Sequence, residues 1–513
     1  MRKRLFALAA AVALVTVAGG CFGGGGGGAK PRDRARPEPL VAPVELTPKQ
    51  QRADPRPNIV FVLTDDLSWN LVKYMPHVKK LQRRGVTFSR YFVTDSLCCP
   101  SRASIFSGRL PHNTKIFTNT PPDGGFHMFR RRNEERSTFA TALRQAGYGT
   151  AMMGKYLNGY MPLVLGRSGN SYVPPGWSEW DVAGNGYPEY LYAMNENGTV
   201  VQYGHRPQDY LTDVIAGKGL DFIREEARAR RPFMLELATF APHAPYTPAP
   251  QDRGKFPFLK APRVPSFNRR NSLPPTWLDA PRKLPPIAVQ RIDRGFRKRV
   301  RSVQAVDRMI GHLEETLREL GIARNTYVVF SSDNGFHMGE HRLLPGKLTA
   351  FDHDIRVPLV VAGPDVPHGK TIKRMTANID LAPTFADLAR TRMSGPVDGR
   401  SIAPLIHGRH VGRWRRAVLI EHKGPVRSQA DPDFPSIGAG NPPSYEAVRT
   451  SSEVYVEYAS GEAEYYDRRR DPYEIHNRID VVPQRRLLQL HRMLRRLVVC
   501  HREPACWAAA RPK

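Results

Sequence analysis

Two neighbouring carboxylates, Asp65-Asp66, follow directly on the apolar run Asn58-Ile59-Val60-Phe61-Val62-Leu63-Thr64. Adjacent acids repel each other unless a cation neutralises them. A buried strand that ends in such a pair delivers both to the C-terminal edge of a parallel sheet, where α/β proteins gather their ligand sites. Alone, the pair fits equally well an N-cap and a solvated acid before the next helix. Asp333-Asn334-Gly335 stands in the same relation to Tyr327-Val328-Val329-Phe330-Ser331. An acid and an amide there offer the hard oxygen ligands that calcium prefers, although Asn-Gly is also a strong turn signal. Two such pairs at two strand ends of one sheet point to an oxygen-rich divalent site built from Asp65, Asp66, Asp333 and Asn334.

The second chemical element is Cys98-Cys99-Pro100-Ser101-Arg102, which runs on through Ala103-Ser104-Ile105-Phe106-Ser107 to Gly108. Pro100 suits a first helical turn. Cys98 then sits at a helix N-terminus, where free N–H groups and the helix dipole favour anions. Arg102, one turn along, can aim its guanidinium back at the same place. A cysteine in a basic helix-start pocket fits a reactive thiol, and the plain alternative is a buried structural cysteine.

The run Cys98-x-Pro-Ser-Arg closed by Gly108 resembles the signature of type I sulfatases, the formylglycine-dependent family. Asp65-Asp66 and Asp333-Asn334 resemble that family's two metal pairs. Gly154-Lys155, Ala241-Pro242-His243 and Lys347 resemble its sulfate-binding positions, and Tyr466 to Asn477, with Asp471-Pro472-Tyr473-Glu474, its C-terminal signature. The resemblance runs from about Pro57 to Ile479. It implies that a formylglycine-generating enzyme converts Cys98 to formylglycine, and that one calcium ion is held by Asp65, Asp66, residue 98, Asp333 and Asn334. It further implies that Arg102 and calcium steady one hydroxyl of the hydrated aldehyde as nucleophile. Lys155, His243 and Lys347 would face the sulfate oxygens, with His243 or Lys347 protonating the leaving oxygen. Many sulfatases carry a histidine two or three residues after the lysine equivalent to Lys155. Here those positions are Leu157 and Asn158, which leaves the base of the second step unassigned. His337 and His341, just beyond the second metal pair, fit either the leaving-group side or a structural loop.

Leu97 to Arg102, Gly154-Lys155-Tyr156-Leu157-Asn158, Pro174-Pro175-Gly176-Trp177, Asp209 to Asp213 and Ala241 to Tyr246 are most similar to glucosamine-6-sulfatases and related heparan sulfatases. This likeness implies a sulfated sugar or glycan substrate, with N-acetylglucosamine 6-sulfate the leading choice. The loops from His112 to Gly125 and from Trp177 to Asn185 are the expected sugar contacts. Rival readings are an arylsulfatase, a phosphodiesterase or phosphonate hydrolase of the same superfamily, and an inactive lipoprotein that binds sulfated glycans.

These groups need a framework. Met75 to Arg84 reads as a helix closed by Gly85, and Ser137 to Ala146 as another that leads into the strand Thr150-Ala151-Met152-Met153. Pro232 to Ala238 and Pro358 to Val361 are further strands. Val303, Val306, Ile310, Leu313, Leu317 and Leu320 recur at helical spacing, with Gly321 as the stop. Helices alternating with apolar strands predict an α/β fold with a large, mostly parallel sheet covered on both faces; the family resemblance implies the alkaline-phosphatase-like form of it. After about Arg415 the alternation Val454-Tyr455-Val456-Glu457-Tyr458 and a terminal helix predict a small α+β subdomain. The expected units are a catalytic domain over 57–414 and a C-terminal subdomain over 415–513, with surface excursions between Pro248 and Lys283.

The chain has 513 residues, of which 41% are hydrophobic, enough for a sizeable core. Lysine and arginine number 77 against 48 acids, a formal charge of +29. Such a field attracts polyanions, though the arginines are spread along the chain and a general arginine bias explains them equally well. No helix-turn-helix, zinc-finger or RNA-binding signature is present, so nucleic acid is not an expected partner. Met1-Arg2-Lys3-Arg4 and the apolar run Leu5 to Ala18 read as an export signal, too short for a comfortable membrane span. The signal ends in Ala18-Gly19-Gly20-Cys21, which resembles a bacterial lipobox. A signal over 1–21 and a Gly/Pro/Arg-rich tether over 22–56 predict an extracytoplasmic protein held at the membrane by a lipid on Cys21. In that oxidising compartment Cys500 and Cys506 are expected to pair.

Overall fold

A run of seven residues that is apolar on both faces can be buried only in the middle of a sheet covered on both sides. β1 (Asn58–Thr64) occupies that place in the computed structural model, which describes residues 55–166, 169–279 and 282–511. The expected export signal, Cys21 and nearly all of the tether lie outside the described residues.

The other strands follow in chain order. They are β2 (Val86–Phe88), β3 (Tyr91–Phe92), β4 (Gly149–Lys155), β5 (Glu179–Ala183), β6 (Ala193–Glu196), β7 (Thr199–Gln202) and β8 (Phe233–Ala238). Next come β9 (Thr326–Ser332), β10 (Leu359–Ala362), β11 (Lys370–Ile372), β12 (Thr376–Ala377), β13 (Ala417–His422), β14 (Tyr445–Thr450), β15 (Glu453–Tyr458) and β16 (Ala463–Asp467). Ten of them form one sheet in the order β11-β2-β10-β9-β1-β8-β4-β5-β6-β7. Its centre is parallel: β1 pairs with β8 and β9, and β4 with β8 and β5. Its margins turn antiparallel, at β10 on one side and at β6 and β7 on the other.

Alternation along β1 divides the interior into two cores. Ile59, Phe61 and Leu63 enter one, with the helices Cys98–Ser107, Phe139–Gln145 and Leu381–Leu388. Val60 and Val62 enter the other, with the helices Pro76–Arg84, Leu211–Arg228 and Pro286–Glu319. The last of these is 34 residues long and begins well before the periodic stretch that reveals it in sequence. Among apolar side chains its first half buries Ile292, Phe296 and Val300, in a charged background that includes buried Asp293 and Arg299, and Pro286 at its first position fits a helix start.

The C-terminal part is the antiparallel sheet β13-β14-β15-β16 with the helices Gln484–Leu497 and Arg502–Ala509. Both sheets belong to one compact unit. Cys500 and Cys506 are bonded. Cys506 lies inside the last helix and Cys500 just before it. The Cys500 carbonyl accepts hydrogen bonds from His112 Nε2 at 2.8 Å and Asn113 Nδ2 at 2.9 Å, which ties this end to the helix Pro111–Thr114 of the larger sheet's layer. Closing so short a loop is worth about 2 kcal/mol by chain entropy. Cys500→Ser/Cys506→Ser is expected to lower the unfolding free energy by that amount in urea titrations, with turnover unchanged. Among the described residues no helix is long and apolar enough to cross a membrane.

Candidate active site

The central strands end at one edge, and their next residues converge there. After β1, Asp66 takes a left-handed φ of 64°, and its carbonyl accepts from Arg299 Nη2 at 2.5 Å. After β9, the Asp333 N–H donates to the Thr64 carbonyl at 3.0 Å. Asp333 Oδ1 accepts in return from the Asp66 N–H at 3.2 Å. The two acidic pairs are therefore joined, as the sequence predicts. β4 brings Lys155 to the same edge. Gly154 before it has φ 100°, and a Cβ there would stand 2.0 Å from the Ala238 carbonyl oxygen, so only glycine fits. β8 leads into Ala241-Pro242-His243.

Cys98 opens the helix Cys98–Ser107, every residue of which is buried. Its Sγ donates to Asp65 Oδ1 at 3.0 Å and accepts from Lys347 Nζ at 2.9 Å. Arg102, fully buried, donates from Nε to Asp333 Oδ2 at 2.8 Å and from Nη1 to the Lys155 carbonyl at 2.8 Å. Lys155 Nζ lies 2.5 Å from Asp65 Oδ2, and Lys347 Nζ 2.7 Å from Asp66 Oδ1. His243 Nε2 is 3.8 Å from Asp66 Oδ2. All the residues expected from sequence, Asp65, Asp66, Cys98, Arg102, Lys155, His243, Asp333, Asn334 and Lys347, thus meet in one buried cluster.

Could this cluster hold a divalent cation? Asp65, Asp66, Cys98 and Asp333 each offer a ligand atom, and these atoms lie within 4.8 Å of one another. Asn334 adds a buried Oδ1 with no hydrogen-bond partner, while its Nδ2 donates to Asp66 Oδ1 at 2.7 Å. Hard oxygen donors around an orphaned carbonyl oxygen fit an ion of the calcium type. Burial pushes the Asp65 carboxyl up, and Asp333 adds to this against Lys155. Burial also opposes ionisation of Asp333, but Arg102, Lys155 and Lys347 outweigh it and hold that carboxyl below its ordinary value. For Cys98, burial and then the Asp333, Asp433 and Asp65 carboxylates raise the thiol well above its usual range.

Some residues that complete the site escape a reading of local sequence. Asp433 comes from the loop between β13 and β14. Its Oδ1 is 2.7 Å from Lys347 Nζ and 2.8 Å from His243 Nε2, and its Oδ2 accepts from Asn119 Nδ2 at 2.7 Å. Asn119 also donates to Asp431 Oδ1 at 3.0 Å. Two acids flanking Pro432 in an otherwise basic segment are the only trace of this in the sequence. The Tyr187 ring packs 4.5 Å from the His243 ring, with Lys155 Nζ 4.9 Å from its centre.

The structure also chooses between the two readings of the loop histidines and places the first residues of the two expected sugar-contact loops. His112 does not serve a sugar: its Nδ1 is 3.0 Å from both Glu421 carboxylate oxygens, and its Nε2 is on the Cys500 carbonyl. Trp177 is packed among Phe106, Phe139 and Trp180. His337 engages Asp354 and the Ala439 carbonyl with its two nitrogens. His341 stacks on Phe351 with ring centres 3.9 Å apart and bonds Asn271. All four are framework. Leu157 and Asn158 are both buried, and the Asn158 amide donates to the Tyr187 hydroxyl at 3.2 Å.

The sulfatase family model matches residues 57–391, and a model described as N-sulphoglucosamine sulphohydrolase, C-terminal, matches residues 339–500. The chain is 36% identical over 450 residues to the N-acetylglucosamine-6-sulfatase of Capra hircus, covering 82% of this chain and 80% of that one. It is 35% identical over 479 residues to the N-acetylglucosamine-6-sulfatase of Homo sapiens, covering 88% and 86%. A protein solved in complex with its substrate D-glucosamine-2-N,6-O-disulfate shares the fold with a TM-score of 0.71 at 22% identity, over 86% of this chain and 97% of that one.

Proposed function

The chain belongs to the sulfatase family and is a sulfuric ester hydrolase; from that premise we propose that it removes the 6-O-sulfate of N-acetylglucosamine in sulfated glycans. The observation that carries the reading is the convergence on Cys98 of three carboxylates, Asp65, Asp66 and Asp333, and a lysine, with a second lysine and a histidine beside them. In the proposal a formylglycine-generating enzyme matures Cys98, and the hydrated aldehyde supplies a hydroxyl nucleophile with a second hydroxyl to release the product. Asp65, Asp66, residue 98, Asp333 and Asn334 would hold calcium, which would supply a Lewis acid to neutralise charge on the sulfate.

The chain's own residues do the rest. Burial disfavours the charged form of Lys155, but Asp65 more than restores it, and Asp433 and Asp66 do the same for Lys347. Both therefore face the sulfate oxygens as cations. His243 Nδ1 is 2.8 Å from the Ala244 carbonyl and Nε2 is 2.8 Å from the Asp433 carboxylate. Both partners only accept, so both ring nitrogens carry a proton. Burial opposes that charge, and Asp66, Asp65 and Asp433 restore it. Lys347 stands against Cys98, on the nucleophile's side. His243 has its Nε2 proton free to pass to the leaving sugar oxygen when substrate displaces Asp433. Each donor to the developing charge is worth on the order of 10²–10³ in rate. We also propose that the export signal ending at Cys21 delivers the enzyme outside the cytoplasm as a lipoprotein.

Comparison of kcat/KM tests the substrate assignment. N-acetylglucosamine 6-sulfate is expected to exceed galactose 6-sulfate, 4-nitrophenyl sulfate and phenyl phosphonate by about 10-fold or more, the scale of one or two local contacts. Turnover of the aryl sulfate with both sugars ignored would leave a sulfatase without the glycan assignment. Preference for the phosphonate would favour the phosphonate hydrolase reading, and absence of turnover on all four a binding protein.

A further inference from the structure

We propose that a cationic groove remote from the catalytic pocket binds a second stretch of the same sulfated chain. The proposal rests on the glycan reading of the active site. The groove has a volume of about 380 Å³ and is lined by Arg90, Lys373, Arg374, Arg415, Arg416 and Arg486, with Glu453 its one acid. Glu453 is already held by Arg486, whose Nε is 2.8 Å from Oε1 and whose Nη2 meets Oε2. Arg415 is taken by Asp380 at 2.5 Å. Arg90, Lys373, Arg374 and Arg416 have no carboxylate partner among the described residues.

Four unpaired cations around one concavity repel one another, and an anion lodged between them relieves this. Two of them are already oriented: Arg90 Nη1 donates to the Lys373 carbonyl at 3.1 Å, and Arg374 Nη2 to the Val411 carbonyl at 2.9 Å. Backbone carbonyls fix those side chains without neutralising them. Their guanidinium forks match the oxygens of a sulfate group. Ser451 and Ser452 add hydroxyls to the same wall, suited to the sugar between sulfates.

Position decides what kind of ligand gains from the groove. It lies at the end of the small sheet where Ala417 pairs with Thr450. The opposite end, where His422 pairs with Tyr445, faces the catalytic cluster, since the Tyr445 hydroxyl donates to the carbonyl of Leu348, next to Lys347. A six-residue strand separates them, roughly 20 Å. Over that distance a monosaccharide in the pocket is too short to touch the groove, whereas a sulfated oligosaccharide has the length to occupy both.

Lys373 and Arg416 are exposed and suit charge reversal. Binding of a fluorescent heparin octasaccharide is read by anisotropy over a salt series, with Cys98→Ala in every protein so that nothing is cut. Lys373→Glu/Arg416→Glu is expected to weaken binding at least tenfold and to flatten the plot of log Kd against log salt by about two, one per cation removed. Otherwise wild-type enzyme carrying the same pair is expected to keep kcat/KM for N-acetylglucosamine 6-sulfate. Lys373→Gln/Arg416→Gln should fall between, and unaltered melting shows that both pairs fold. Octasaccharide affinity insensitive to both pairs overturns the proposal. So does equal binding of a DNA duplex at the same salt with equal loss on charge reversal, which would make the groove a general polyanion patch. Since binding is read without turnover, an enzyme inactive on the monosaccharide would count against the substrate assignment and leave the groove test standing.

Discussion

Cys98→Ala is expected to abolish sulfate-ester hydrolysis, with a loss on the order of 10⁴–10⁶ in kcat, the scale seen when a covalent nucleophile is removed. The melting transition should change little, because the alanine keeps the helix start and leaves Asp65 and Lys347 near cationic and anionic partners of their own, Lys155 and Asp66. The neighbouring cysteine gives the contrast. Cys99 has its side chain in the apolar core, its N–H on Asn119 Oδ1 at 3.0 Å, and a thiol that burial pushes up to about 12. Cys99→Ser should cost about 1–3 kcal/mol of stability, the price of a buried hydroxyl, while kcat stays within about tenfold, the scale of 1.4 kcal/mol in a barrier. Cys98→Ser should behave like Cys98→Ala in a host whose maturation system acts only on cysteine. Equal loss of kcat in Cys98→Ala and Cys99→Ser, measured on fully matured protein, would show that the wrong cysteine has been assigned.

Removing calcium should be nearly as severe. After chelation and desalting, turnover is expected to fall by at least roughly 10²–10³, as for the loss of a main stabiliser of developing charge. Readdition at a hundred times Kd should restore turnover and raise the unfolding free energy by about 2.7 kcal/mol. The second readout matters because it needs no substrate. Asp66→Asn and Asp333→Asn should abolish the calcium-induced rise in melting temperature. Asp333→Asn should also harm the enzyme beyond metal loss, since Asp333 Oδ2 holds Arg102 at 2.8 Å. A calcium-induced rise that persists in both variants would place the ion elsewhere.

The parts of the site that lie on strand ends and one helix start were legible because local pattern and position coincide there. β1 and β9 are unbroken apolar runs, and the residues that follow such runs in a parallel sheet must share one edge; Asp65, Asp66, Asp333 and Asn334 needed no tertiary knowledge beyond that. Cys98 and Arg102 were legible because Pro100 marks a helix start. Lys155, His243 and Lys347 came from family resemblance, and the fold explains them as strand-end and loop residues of the same edge. Asp433 was not legible: it lies 190 residues from His243, in a loop without periodicity, and only the docking of the C-terminal sheet brings it in. Tyr187 is a loop residue of the same kind, whereas Asn119 lies within the loop from His112 to Gly125 that the sequence places at the site without singling out the residue. For the histidines, sequence leaves two readings open and the structure decides between them. His112, His337 and His341 have the chemistry for catalysis, but buried carboxylates, carbonyls and a phenylalanine ring claim them for the framework. The long helix was half hidden because the apolar side chains its first half buries, Ile292, Phe296 and Val300, are few and stand among many charged residues.

The central claim is that residue 98 acts as formylglycine. The tryptic peptide Tyr91 to Arg102 carries it, and its mass, read from enzyme of known specific activity, tests the claim directly. The account predicts a peptide in which one cysteine has become an aldehyde, trapped by a hydrazide reagent at position 98, with the converted fraction rising in proportion to activity across preparations. Fully active enzyme in which both Cys98 and Cys99 remain thiols would contradict it.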